Sequence, residues 1–182
     1  MSVVVASLSE SKSGFKDYFE LFGLPREFKL NPGQLEASHI AVMQETHPDR
    51  FASASDAEKR VALQMATYAN NAYQTLRNPV KRGLYLCELG GLDPQLETNT
   101  AMPQDFLMQQ MEWRESLDEA RGQLNAVEAL SQEVRGVKSQ YMNSLESSFA
   151  EGDMESALNQ LRCLLFMDKF LNELDDAIAD LV

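Results

Sequence analysis

Through most of the chain apolar side chains return every third or fourth residue and no β-branched stretch alternates, so helices are the regular structure the pattern supports. Ala62, Ala66, Ala69, Tyr73 and Leu76 form one such run, a long helix with a small-residue face. Val127, Leu130, Val134, Val137, Tyr141, Leu145 and Phe149 form a second. Met154, Ala157, Leu161, Leu164, Leu171, Leu174, Ile178 and Leu181 form a third. The expected fold class is all-α.

Turn chemistry divides these runs. Asp17 to Leu24 reads as a short apolar helix closed by Gly23 and Pro25. Asn31 and Pro32, a capping residue followed by a first-turn proline, open a second helix through Leu35, His39, Val42 and Met43. It should stop near Thr46, because Pro48 disfavours helical geometry at the residue before it. The polar stretch Phe51 to Asp56 is a loop ending in an N-cap, and Asn78 and Pro79 end the long helix that follows. Val80 to Leu89 is a short fourth helix.

Gly90 and Gly91 then open a segment through Pro94 and Asn99 to Pro103 that reads as a linker. Beyond it a helix from Gln104 to Gln123 precedes the two long apolar runs, with Gly152 and Asp153 as the turn and cap between them. A C-terminal three-helix bundle is expected. The expected organisation is a flexible leader over 1–14, an N-terminal domain over 15–89, a linker over 90–103 and a C-terminal domain over 104–182.

Charge separates the two halves. Residues 1–100 carry ten Lys and Arg against twelve Asp and Glu, whereas residues 101–182 carry six against sixteen. The whole chain stands at −12, which opposes nucleic acid and anionic lipid as partners and favours proteins. Two cysteines without a CxxC pair and two histidines support neither a disulfide framework nor a zinc cluster, and no cofactor is expected. No signal peptide, transit peptide or membrane-spanning run is apparent, so a reducing cytoplasm fits.

The informative motif is His47-Pro48-Asp49, set between two helices. Pro48 stiffens the turn, so an imidazole and a carboxylate project from a fixed corner at little ordering cost. Such a carboxylate can accept a charge-assisted bond from a partner arginine. A hydrolase using His47 and Asp49 as a pair is disfavoured, since no Ser or Cys nucleophile is placed beside them and Pro48 separates them. His39 falls on the apolar stripe and reads as a hydrogen-bonded core residue.

The tripeptide lies after DYFELFGL and before FASASD, and NAYQTLRNPVKR closes the returning helix. In this context the sequence resembles the J-domain proteins, and over nearly its whole length the HscB-type co-chaperones of iron–sulfur cluster assembly. The resemblance implies that His47, Pro48, Asp49 and Arg50 engage a DnaK-class chaperone of the HscA type and stimulate its ATPase. The chain itself would catalyse nothing. It departs from the family at Thr46, where Tyr is usual, and at Ser38 and Gln44, where Lys or Arg is usual. No Lys or Arg occurs from Gln34 to Asp49, which leaves Arg50, Lys59 and Arg60 as the nearby cations.

A helical wheel at 100° per residue puts Phe106, Trp113, Leu117 and Ala120 on one stripe of the first C-terminal helix. Leu107, Met108 and Met111 fall on another side, where Glu112 and Glu115 complete the arc. One stripe can serve the core and flexible methionines suit a partner surface, while a helix that touches two neighbours in a three-helix bundle would instead need a wide apolar arc. Phe166 likewise falls away from the Leu161, Leu164 and Leu171 face. The resemblance implies that Leu107, Met108, Met111, Glu112, Glu115 and Phe166 bind the cluster scaffold, of the IscU type. The Cys-rich metal module of some eukaryotic relatives has no counterpart in this sequence, so a bacterial form is expected. The alternative is a J-domain co-chaperone with a different client.

Overall fold

The computed structural model describes residues 15–93 and 102–182. The 1–14 leader and most of the 90–103 linker lie outside the described residues. Among the described residues the chain is all-α. It divides into two compact units, Met1–Leu86 and Cys87–Val182, with the division inside the last turn of a helix.

The first unit begins with α1 (Tyr18–Leu21), capped by the Asp17 carboxylate, which accepts the Glu20 N–H at 2.8 Å. It is shorter than the expected Asp17 to Leu24, because Gly23 takes a φ of 63° and turns the chain out of the helix. Next comes α2 (Pro32–Glu45). The Asn31 side chain caps it by accepting from the N–H groups of Gly33 and Gln34, with Pro32 in the first turn as expected. A single 3-10 turn (Pro48–Phe51) follows, then α3 (Asp56–Arg77).

Ser55 rather than Asp56 caps α3, through a reciprocal box. Its Oγ accepts the Glu58 N–H at 3.3 Å, while Glu58 Oε2 accepts the Ser55 N–H at 2.8 Å. The helices α2 and α3 form an antiparallel hairpin over a core that includes Phe19, Phe22, Leu35, Val42, Met65, Ala69 and Leu76. The buried stripe of α3 is Ala62, Met65, Ala69, Ala72 and Leu76. Ala66 and Tyr73, expected on it, are half-buried at its margin. Tyr18 fastens α1 to α4 (Pro79–Leu89): its N–H donates to Tyr85 Oη at 3.1 Å and the two rings stack at 4.5 Å.

The second unit holds α5 (Gln104–Glu119), α6 (Leu124–Glu151) and α7 (Met154–Ala179). The first of these stops at Glu119 rather than Gln123, because Gly122 at φ 78° makes the turn into α6. Gly152 at φ 74° and an Asp153 N–H donated to the Ser148 carbonyl at 2.9 Å close α6, and the Asp153 carboxylate then caps α7. Leu181 lies past the end of α7 and is exposed, so it is not part of the core face.

These helices pack around Phe106, Trp113, Val127, Val134, Leu145, Leu161, Leu164, Met167, Phe170 and Leu174. Full burial of such side chains contributes about 1.5–3 kcal/mol each, the dominant favourable term in the bundle. Polar ties fix the pairing of its helices. Trp113 Nε1 donates to Glu133 Oε1 at 2.9 Å between α5 and α6. Arg135 meets Asp175 at 2.8 Å and Lys138 meets Asp168 at 2.5 Å between α6 and α7.

Candidate functional site

The His47 turn stands at the tip of the α2–α3 hairpin. What holds it begins with Thr46, which is 1% exposed and donates its Oγ1 hydrogen to the Val42 carbonyl at 3.0 Å. With the backbone N–H of Thr46 on the same carbonyl at 3.1 Å, the last turn of α2 is closed and His47 leaves in extended geometry, φ −62° and ψ 133°. Pro48 requires that geometry of its predecessor. His47 Nδ1 then accepts the Asp49 N–H at 3.3 Å, and the Arg50 N–H donates to the His47 carbonyl at 3.0 Å.

The side chains left over point to water. Those of His47 and Asp49 are 58% and 91% exposed, with the carboxylate 3.6 Å from Nδ1. Arg50 is exposed as well. A carboxylate this exposed beside an imidazole suits recognition by a partner's cation more than acid–base chemistry on a bound substrate.

Beside this turn, His39, Ile40, Met43, Gln44 and His47 line an open groove of about 390 Å³. Its floor is apolar, and Ile40 is 49% exposed. His39 is therefore not the core residue expected from its stripe. It sits half-exposed at the rim, stacked on Tyr73 at 4.2 Å with Nε2 3.0 Å from Asn70 Oδ1. The stripe itself divides: Leu35 and Val42 go to the core, while His39 and Met43 stay at the surface. The signal for the groove was Ile40, an apolar residue well off the Leu35 and Val42 side of the helix.

The second candidate face lies on α5. Leu107, Met108 and Met111 are exposed by 42%, 53% and 65%, and Glu112 and Glu115 are exposed with them. The other stripe is inward as expected, with Phe106, Trp113 and Ala120 buried and Leu117 half-buried.

Phe166 differs from these five. It is half-buried in the seam of α5 and α7, edge-on to Phe106 at 5.8 Å and stacked with Phe170 at 6.0 Å. Arg114, which the wheel did not single out, lies 5.7 Å from the ring centres of both Phe166 and Phe170 and pairs with Glu173 at 3.2 Å. Phe166 thus supports the bundle as well as offering an edge to solvent.

The thiols of Cys87 and Cys163 are buried, and burial pushes each up to about 11, so neither is poised as a nucleophile. No helix among the described residues is long and apolar enough to cross a membrane.

Residues 102–175 match the family model described as the HSCB C-terminal oligomerisation domain. A co-chaperone protein HscB homolog of Chromobacterium violaceum is 47% identical over 168 residues, covering 92% of this chain and 96% of that one. The homolog of Bordetella pertussis is 48% identical over 162 residues, 88% of this chain and 95% of the other. Two solved structures share the fold. Chaperone HscB from Vibrio cholerae has a TM-score of 0.79 at 35% identity, covering 91% of this chain and 99% of that one. The human co-chaperone protein HscB has a TM-score of 0.82 at 29% identity, covering 88% and 81%.

Proposed function

The chain belongs to the HscB co-chaperone family, and we propose that it joins a DnaK-class chaperone of the HscA type to an iron–sulfur scaffold of the IscU type. It is a co-chaperone and not an enzyme, and its partner is a chaperone. On this reading 15–89 is the J-domain, 90–103 the linker and 104–182 the scaffold-binding domain, working in a bacterial cytoplasm.

The observation that carries the chaperone half is the self-braced turn at the tip of the hairpin. Its own backbone bonds are satisfied locally, so the Asp49 carboxylate is left with full acceptor capacity for a cation on the chaperone. His47, Pro48, Asp49 and Arg50 form that contact, and the groove over Ile40 and Met43 extends it. Stimulation then means that the bound turn favours the hydrolysing state of the chaperone, which performs the chemistry.

The scaffold half rests on the exposed Leu107, Met108 and Met111 face, ringed by Glu112 and Glu115. Methionines repack against a folded partner, and carboxylates at the rim set register with its Lys or Arg. Phe166 adds its solvent-facing edge.

The test is titration calorimetry of the intact chain with each purified partner and then with both. Binding of both partners at once supports the reading. Binding of the chaperone without the scaffold points to a different client.

A further inference from the structure

At the end of the α2–α3 hairpin away from His47, the start of α2, the end of α3 and the start of α4 enclose a pocket of about 310 Å³. Leu30 and Leu35 line it on the apolar side, and Tyr73, Glu36, Arg77 and Arg82 supply the polar groups. The helix α2 has 14 residues, so at 1.5 Å per residue the pocket stands about 20 Å from the His47 turn.

The two arginines are held in place without being neutralised. Arg82 donates from Nη1 to the Leu76 carbonyl at 2.6 Å and lies 5.0 Å from the centre of the Phe28 ring. Its Nε is buried without a hydrogen-bond partner. Arg77 lies 5.9 Å from the centre of the Tyr73 ring. Among the described residues no carboxylate comes within ion-pair distance of either guanidinium, Glu36 included. Burial pulls Arg82 below its ordinary value.

Two unneutralised guanidinium groups in one concavity are unexpected in a chain of net charge −12. A partly desolvated cation gains most from an anion delivered to it, and a planar guanidinium matches the two oxygens of a carboxylate or phosphate. The volume is at the small end for ligand sites, which limits the guest to a few carbons. We propose that this pocket binds a small organic oxyanion, its charged group on Arg77 and Arg82 and its apolar part against Leu30 and Leu35. The site is independent of the co-chaperone reading, since it shares no residue with either partner face.

The test is a proton–nitrogen NMR titration of the full chain with 3-methylbutanoate and, separately, inorganic phosphate, with ionic strength held constant by chloride. Saturable shifts at Gly33, Gln34, Arg77 and Lys81 are expected, with affinity on the order of millimolar for so small a ligand. Arg77→Gln should weaken binding by about tenfold or more, the loss of a hydrogen bond to a charged group, and Arg77→Lys should weaken it less. Arg77 is exposed and supports no core, so these variants keep the fold. Tighter binding of one anion than the other assigns the class as carboxylate or phosphate. Shifts that fail to saturate with both anions, or that are unchanged in Arg77→Gln, overturn the proposal.

Discussion

The Asp49 backbone N–H donates to His47 Nδ1 at 3.3 Å, so the imidazole braces the very residue whose carboxylate it leaves in solvent. The hairpin tip is therefore ordered from within. Thr46 closes a helix end, whereas the Asp49 side chain projects outward.

That division predicts opposite responses to neighbouring substitutions. Thr46→Ala removes a buried hydroxyl and methyl and should lower stability by about 1–2 kcal/mol, loosening the turn as well. Chemical denaturation of the purified variant gives the shift. A midpoint equal to wild type would mean that Thr46 does not hold the end of α2.

The groove beside the turn is lined by Ile40 and Met43, and α2 carries no Lys or Arg. Stimulation of the chaperone ATPase should then fall by less than about threefold between about 0.05 and 0.2 M salt, because few charge pairs are available to screen. A steep loss over that interval would assign the steering to Arg50, Lys59 and Arg60 instead.

On α5, replacing Leu107, Met108 and Met111 together by Ala should abolish scaffold binding without moving the melt, since exposed side chains leave no cavity. Phe166→Ala should behave differently and destabilise the bundle by about 1–3 kcal/mol, less than the cost of a fully buried Phe. Trp113, the single tryptophan, is buried in this bundle and reports its unfolding by fluorescence. An early melt of the triple variant would place those three residues in the core.

Burial raises both thiols to about 11, above the ordinary value of about 8.5 that they regain on unfolding. The folded state favours the protonated thiol. The associated stability is thus complete below about pH 8.5 and is lost as pH rises toward about 11. Native protein at pH 8 should resist a thiol-specific alkylating reagent, and urea-unfolded protein should take up two equivalents, one for each cysteine. Rapid native labelling would contradict the burial of Cys87 and Cys163.

Helix identity was legible because apolar spacing reports which side of a helix meets its neighbour. Asn31, Pro32, Gly152 and Asp153 marked helix ends through capping chemistry that acts within a few residues. The wheel also separated Phe106 and Trp113 from Leu107, Met108 and Met111, and burial follows that separation. Phe166 resisted the same reading because a wheel knows its own helix and not the neighbour. Arg114 and Phe106 reach across from α5 and turn an off-stripe aromatic into half of a seam. His39 and Tyr73 went astray similarly, since a stacked pair at the margin of two helices has core spacing without core burial.

The proposed action on a chaperone runs through the Asp49 carboxylate. Single-turnover ATP hydrolysis by an HscA-type chaperone, with wild-type chain and with Asp49→Ala at matched concentration, tests it most directly. Wild type should accelerate hydrolysis, Asp49→Ala should not, and the stability of the variant should stay within about 0.5 kcal/mol of wild type, as for an exposed site. Full acceleration by correctly folded Asp49→Ala would contradict it.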